Sequence, residues 1–538
     1  MPSTRRDFIR RALLSGAALS SEFTGRLATA AVLPASSKRG GTLLVAQYPE
    51  PPTLTSAWTT AGPAQSVSGK IFDGLLTYGP GMTPRPQLAT RWEVSSDGLT
   101  VTFHLRPGVT WHDGKPFTSA DVAFSLMEIW KKYHGRGRST FANAIAADSP
   151  DPLTSIWRLS KPAPYILSAL SSVESQVVPQ HLYANRDVLS NPYNNAPVGT
   201  GPFRFVRWTQ GSEIVLERNP GYWDTGKPFL DGVVFRILPE ANAAAAALET
   251  GAVHIAPTGT VPQSAIGRLG REPSLTVTEH AADYAVGLTV LEFNLDRPLF
   301  RDPRVRQAFA HCIDREFILK NIFYGYGEVA NSPIPAGMPA FHTGDVPLYP
   351  YDLKRAEALL DAAGFKRGTD GVRMAFQNDP LPIGTSILSA QFIRATLAKI
   401  GVHMSIRSSD YGEFVNRVYK RRDFDTTLNG ATAGPDPAIG TQRFYWSADF
   451  QPGVAFSNGA HYHNPEVDRV LEAAQVEVDP GKRRTLYATF QSLAQTDLPR
   501  IPLISPDTVL LANKRVNDVL VSAEGIYGNF ASATLAPA

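Results

Sequence analysis

Few residues in this chain are spaced for covalent or metal chemistry. His461-Tyr-His463 is the only tight histidine pair. Two imidazoles that close can share a metal ion, but a zinc site takes at least a third protein ligand, and none accompanies them in the sequence. The pair runs into Asn464-Pro465, a helix start, so a polar loop is the plainer reading. Cys312 is the single cysteine. That excludes an intrachain disulfide framework and any multi-cysteine metal centre. It shares a helical face with Val305 and Phe309, which makes it a small buried hydrophobe rather than a nucleophile. No GxSxG elbow, HExxH, P-loop or CxxC motif occurs. Carboxylates are plentiful, but spacing singles out no pair. Residue spacing thus singles out no enzyme chemistry, no cofactor and no metal site; a hydrolase working in a cleft is the remote alternative.

What the chain can do then depends on the elements that could build and line a cleft. Gly41 to Gln47 reads as a first strand, and the turn-rich Tyr48-Pro-Glu-Pro-Pro-Thr53 follows it. Loops at strand ends line ligand clefts in open α/β sheets. Val101 to Leu105 and Ile214 to Arg218 alternate as strands. Thr118 with Asp121 three residues on has capping-box spacing. Val198-Gly-Thr-Gly-Pro-Phe203 is a tight glycine turn. It lacks GxGxxG spacing, and Pro202 removes a donor that a phosphate cradle would use, so it reads as structural. The alanine-rich stretch Asn242 to Thr250 predicts a helix closed by Gly251. Beyond residue 300, Asp302-Pro303, Asp352, Asn464-Pro465 and Asp479-Pro480 each predict a capped helix. The pattern is mixed α/β, with no short repeat and no low-complexity linker.

A chain of 538 residues exceeds one hydrophobic core, so two or three domains are expected. Charge is informative through its distribution. Residues 1–30 hold five arginines against Asp7 and Glu22, and the rest balances at 47 basic against 47 acidic residues. A neutral body has no electrostatic pull on phosphate backbones, which argues against a nucleic-acid partner. The surplus sits in Thr4-Arg5-Arg6-Asp7-Phe8-Ile9-Arg10, which resembles a twin-arginine export signal. The apolar stretch Ala12 to Ser21 is shorter than the roughly 20 residues that span a bilayer. Ala28-Thr-Ala30 offers a cleavage site, with Ala31 the expected first mature residue and a periplasmic destination.

Several motifs fall in a recognisable order. They are Leu88-Ala-Thr-Arg-Trp92, Ser96-Asp-Gly98, Phe103-His-Leu-Arg106 and Trp111-His-Asp-Gly-Lys-Pro-Phe117, then Gly199-Thr-Gly-Pro-Phe203 and Glu217-Arg-Asn-Pro-Gly-Tyr-Trp223. Phe293-Asn294, Asp302-Pro-Arg-Val-Arg-Gln-Ala308, Tyr351-Asp352, Asn464-Pro-Glu-Val-Asp468 and Ile501-Pro-Leu503 continue it. Together they resemble extracellular solute-binding protein family 5, the dipeptide-, oligopeptide- and nickel-binding group of ABC importers, over residues 40–515.

The resemblance implies a periplasmic binding protein of type II-like fold, two lobes with a hinge plus an extra third domain. Residues 40–75, 196–288 and 504–538 would form domain I, 76–195 domain II with the signature motif, and 289–503 domain III. Leu288–Leu291 and Leu503–Ser505 are the expected hinges. Trp111, His112 and Asp113 are expected to be structural, away from the cleft. Implied partners are a membrane permease and its ATPase subunits, with the binding protein a monomer. In peptide-binding members an aspartate in a late cleft loop pairs with the ligand's α-amino group. The matching stretch is Leu428 to Pro437, and the aspartate position aligns with Ala431. Asp436 is the nearby substitute. The expected ligand contacts are Tyr48, Tyr411, Asp436, Arg443, Tyr445 and Trp446, the aromatics as platforms and Arg443 for an acidic group. The expected ligand is a peptide or peptide-like solute; the alternative is an oligosaccharide, opine or sugar conjugate.

Overall fold

A computed structural model describes residues 39–537. The export signal and its cleavage point lie outside the described residues. Three sheets organise the chain. The first has seven strands in the order Leu275–Thr278, Leu510–Asn513, Ile255–Pro257, Thr42–Gln47, Gly232–Ile237, Glu213–Arg218, Phe203–Thr209. Thr42–Gln47 lies at its centre. It runs parallel to Gly232–Ile237, with Leu43 opposite Val233 and Val45 opposite Phe235. The loop that leaves this strand opens at its carboxyl end, where α/β sheets bind ligands.

A four-stranded antiparallel sheet, Ala89–Val94, Thr100–Leu105, Thr154–Leu159 and Ala144–Asp151, carries the signature motif at its edge. Its strands alternate as read: Val101, Phe103 and Leu105 are buried while Thr100, Thr102 and His104 are half-buried. Phe103 packs on Trp157 at 4.8 Å between ring centres, and Trp157 meets Trp130 edge-on at 6.2 Å. The seven- and four-stranded sheets share one apolar core and form one lobe.

The other lobe is built on a six-stranded sheet, in the order Gly327–Val329, Arg500–Pro506, Gly287–Phe293, Thr426–Thr432, Met374–Asn378, Val402–Ile406. Its helices start where the sequence predicts. Asp302, Asp352, Asn464 and Asp479 each accept a backbone N–H of the first turn. Thr118 and Asp121 form the reciprocal capping box. Cys312 is fully buried in this lobe's core.

The residues expected as hinges lie inside strands. Leu288–Leu291 and Leu503–Ser505 are ladder residues inside the six-stranded sheet, where Thr289 pairs with Ile504 and Leu291 with Ile501. Hydrogen-bonded central strands resist the backbone rotation that a hinge needs. The chain crosses between the sheets over residues 279–286 and 507–509. These two crossings touch: Ala281 N–H donates to the Thr508 carbonyl at 2.7 Å, and His280 Nδ1 lies 3.3 Å from Asp507 Oδ1.

The signature residues are committed to packing. Trp111 is buried and donates weakly to Asp121 (3.4 Å). His112 Nε2 sits 3.0 Å from the Gly201 carbonyl, and its Nδ1 accepts the Gly199 N–H at 3.2 Å. Burial lowers the His112 pKa to about 4, so the ring is neutral. Gly199 and Gly201 press on residue 71: an added Cβ would lie 1.9 and 2.6 Å from the Ile71 carbonyl oxygen. The glycine turn is therefore a packing device, as read.

Candidate functional site

The strand Thr426–Thr432 ends in a loop, Ala433 to Gly440, that reaches from the second lobe to the first. Ala438 and Ile439 join the apolar core of the first lobe. The loop returns on itself at Gly440, where a Cβ would lie 1.9 Å from the Ala433 carbonyl oxygen. A short helical turn, Gln442–Phe444, then brings Arg443 to the junction.

Four buried arginines mark this region, and three are neutralised. Arg136 and Glu174 pair within the first lobe, Arg136 Nε donating at 2.7 Å with a second, shorter contact between them. Arg500 and Glu292 pair at 3.1 Å in the second. Arg483 grips Asp436 with two bonds of 2.6 and 2.7 Å. Arg443 is only 6% exposed, yet among the described residues no carboxylate lies within ion-pair distance of it. Its Nε donates to the Gly440 carbonyl at 3.1 Å, and the guanidinium lies 4.5 Å from the centre of the Phe444 ring. Burial, reinforced by the nearby Arg136, pulls its pKa down to about 9. An unpaired buried cation costs several kcal/mol, which makes it the natural seat of an anionic group.

Within electrostatic reach of Arg443, or next to it in the chain, are polar atoms that find no hydrogen-bond partner among the described residues: His134 Nε2 from the first lobe, and Thr441 Oγ1, both amide atoms of Gln442 and Asp449 Oδ2 from the second. Native interiors leave few such atoms, so several of them near one unpaired cation point to a ligand. Burial, with Arg136 and Arg443 adding to it, holds His134 neutral with a pKa of about 3. A small cavity of about 10 Å³ among Leu288, Ala433, Thr441, Phe444, Tyr445 and Arg500 adjoins the site. A larger hollow, about 310 Å³, lies elsewhere, against Trp223, Glu524 and Asn529. The buried Asp73 beside it accepts bonds from Gln87 (2.8 Å) and Trp223 (2.8 Å), so its charge is already served.

The family model for bacterial extracellular solute-binding proteins, family 5 Middle, matches residues 83–452. The chain belongs to this family. Among its relatives, a putative ABC transporter peptide-binding protein of Brucella ovis is 30% identical over 430 residues, 77% of either chain. The glutathione-binding protein GsiB of Pectobacterium atrosepticum is 28% identical over 475 residues, covering 86% of this chain and 88% of that one. Among solved structures, the ABC transporter-associated periplasmic binding protein DppA of Helicobacter pylori in complex with the peptide STSA aligns with a TM-score of 0.82 and 26% identity, covering 93% of this chain and 99% of that one.

Within this family-5 fold the six expected contacts separate. Arg443 stands at the lobe junction. Tyr48, at the end of the central strand, and Tyr411, on a turn capped by Asp410, are 44% and 50% exposed. Protein packed around the Tyr411 hydroxyl raises its pKa. Asp436 is not available to a ligand: both its oxygens bind Arg483, and Oδ1 also accepts the Ala438 N–H at 2.9 Å. Tyr445 packs on Phe490 (5.2 Å) and Tyr462 (6.3 Å) in the second lobe's core. Trp446 Nε1 donates to Glu472 at 3.1 Å on the helix Pro465–Val476. Helical turning explains the split, since side chains at 443, 445 and 446 point in different directions. Ala431 pairs with Leu288 in the strand ladder, and the alanine lining the small cavity is Ala433. His461 bonds to Asp296 (2.6 Å) while His463 lies 3.6 Å from Asp468, so the two rings serve different carboxylates. Sequence reading missed His134, Thr441, Gln442 and Asp449. His134 stands in the turn-rich Tyr133-His-Gly-Arg-Gly-Arg138, the one local signal that marks any of them.

Proposed function

We propose that this protein is the solute-binding component of an ABC importer, and that it captures a peptide or peptide-like solute bearing a carboxylate between its two lobes. The observation that carries this reading is Arg443, a buried cation without a partner where the lobes meet. A ligand carboxylate would supply the missing charge, as bidentate guanidinium pairs do. The names of the relatives, peptide- and glutathione-binding, support the same class. A neutral oligosaccharide leaves Arg443 unpaired, and two of the aromatic platforms it would use, Tyr445 and Trp446, are occupied in packing.

On this reading the protein binds without turnover and works as an exported, periplasmic monomer after cleavage near Ala30. It hands its ligand to a permease driven by separate ATPase subunits. Domain I comprises 40–75, 196–286 and 507–538, domain II 76–195 and domain III 287–506. These bounds move from the expected 288/289 and 503/504 because Gly287–Phe293 and Arg500–Pro506 are neighbouring strands of the second lobe, and bending is assigned to the crossings 279–286 and 507–509. Ligand closes the lobes only as far as it binds the closed form better than the open one. The test is a thermal-shift screen of protein unfolded and refolded to remove carried-over ligand, against peptides, glutathione, opines and oligosaccharides. At 100 times its dissociation constant a ligand adds about 2.7 kcal/mol. Stabilisation by carboxylate-bearing peptides is expected; stabilisation by neutral sugars alone would overturn the reading.

A further inference from the structure

The hollow of about 310 Å³ in the first lobe is walled by side chains that one buried carboxylate holds in place. Asp73 is fully buried. Its Oδ1 accepts from Gln87 Nε2 at 2.8 Å, Asn529 Nδ2 at 3.3 Å and Tyr222 Oη at 3.4 Å, and its Oδ2 from Trp223 Nε1 at 2.8 Å. All four donors line the hollow. A further wall residue, Glu524, is 3% exposed and accepts from Thr77 Oγ1 at 2.9 Å and the Tyr78 N–H at 3.2 Å. Side chains tied in this way cannot swing inward to fill the space, so the hollow is a preformed cavity.

Its charges cancel. Arg85 and Lys227 stand against the carboxylates of Asp224 and Glu524, and Lys227 pairs with Asp224 at 3.0 Å. A cavity so balanced selects no net charge in an occupant. Ser172, Ser522 and Ser532 add hydroxyls, which both donate and accept, and Trp223 and Phe530 add apolar ring surface. A small sugar or cyclic polyol matches this lining. Each of its hydroxyls donates and accepts, its C–H faces pack on rings, and it brings no charge to desolvate. The volume lies at the lower bound of small-molecule sites, roughly 300 Å³.

The same wall borders the hinge. The segment that carries Ser522, Glu524 and Asn529 also packs on the crossing 279–286. Tyr284 N–H donates to the Ala523 carbonyl at 2.9 Å, and Ile526 N–H to the Ala281 carbonyl at 3.3 Å. At Gly525 a Cβ would lie 1.7 Å from the Ala281 carbonyl oxygen, so the two stretches touch backbone to backbone. Tyr78, fastened by Glu524, packs its ring on that of Tyr284 at 5.5 Å. We propose that the hollow is a second binding site, for a small neutral polyhydroxylated molecule, and that its occupancy stiffens the crossing 279–286. The site stands apart from the solute cleft. Its effect on solute affinity, reciprocal by linkage, rests on the reading of capture between closing lobes.

The experiment uses refolded protein and three probes, glucose, ribose and myo-inositol. Saturation-transfer NMR should show transfer from the protein to at least one of them. Ser532→Trp, which fills the hollow, should abolish it, and Arg85→Ala, which removes a donor at an exposed position, should weaken it roughly fivefold. Arg443→Met should leave it unchanged. Hydrogen exchange without any peptide then reads the hinge: the bound probe should slow exchange of amides in 279–286 in wild type and not in Ser532→Trp. If the larger side chain unfolds the protein, Arg85→Ala carries both comparisons. Transfer to none of the probes, or transfer indifferent to the hollow variants, would overturn the site. Transfer abolished instead by Arg443→Met would seat the sugar in the cleft and count against the peptide reading as well. Transfer lost in the hollow variants, with exchange of 279–286 unaltered by the probe, would overturn the link to the hinge and uphold the site.

Discussion

Arg443 and Arg483 lie on the same lobe, both buried, and differ in one respect: Arg483 has Asp436. Breaking that pair by Arg483→Met leaves a buried carboxylate without its cation, and a loss of about 3–5 kcal/mol is expected in urea unfolding. Arg443→Met should do the reverse. It removes an unpaired charge, so the empty protein should gain thermal stability, while peptide affinity measured by calorimetry falls by about 2 kcal/mol or more, roughly 30-fold. The sequence marks Arg443 as a cation beside a cleft loop but is silent on pairing. Asp436 and Arg483 are 47 positions apart, and only the fold brings them together. Asp436 therefore reads as a ligand contact until its partner is seen. Asp449 lies beyond the loop that the family resemblance singles out, and no motif surrounds it.

Local structure was far more legible. Caps at Asp302, Asp352, Asn464 and Asp479 are read from one residue and the pattern behind it, because the interaction spans a single turn. Hinges are not local in that way. The residues chosen from the family's domain boundaries turned out to be strand ladder, since hydrogen-bond partners lie some 200 residues away in the chain. Hydrogen exchange should show this: on ligand binding, amides of Gly287–Phe293 and Arg500–Pro506 keep their protection, and those of 279–286 and 507–509 change. The loop between the lobes is equally specific. Gly440→Ala forces a Cβ against the Ala433 carbonyl, and a loss of about 1–3 kcal/mol of stability, with weaker binding, is expected from melting and titration.

The whole molecule joins a first lobe of two sheets to a second built on six strands, through two crossings that touch each other. Its class was legible because many separate motifs fall in one order, each demanded by a turn, a cap or a buried contact. Its ligand was not, because a sequence does not show which buried charges remain unpaired. Capture between closing lobes is the central claim, and small-angle X-ray scattering of refolded protein, with and without the peptide that the thermal screen selects, tests it most directly. A smaller radius of gyration at saturation is expected, with no such change in Arg443→Met at the same peptide concentration. An unchanged radius at saturation in the wild type would contradict it.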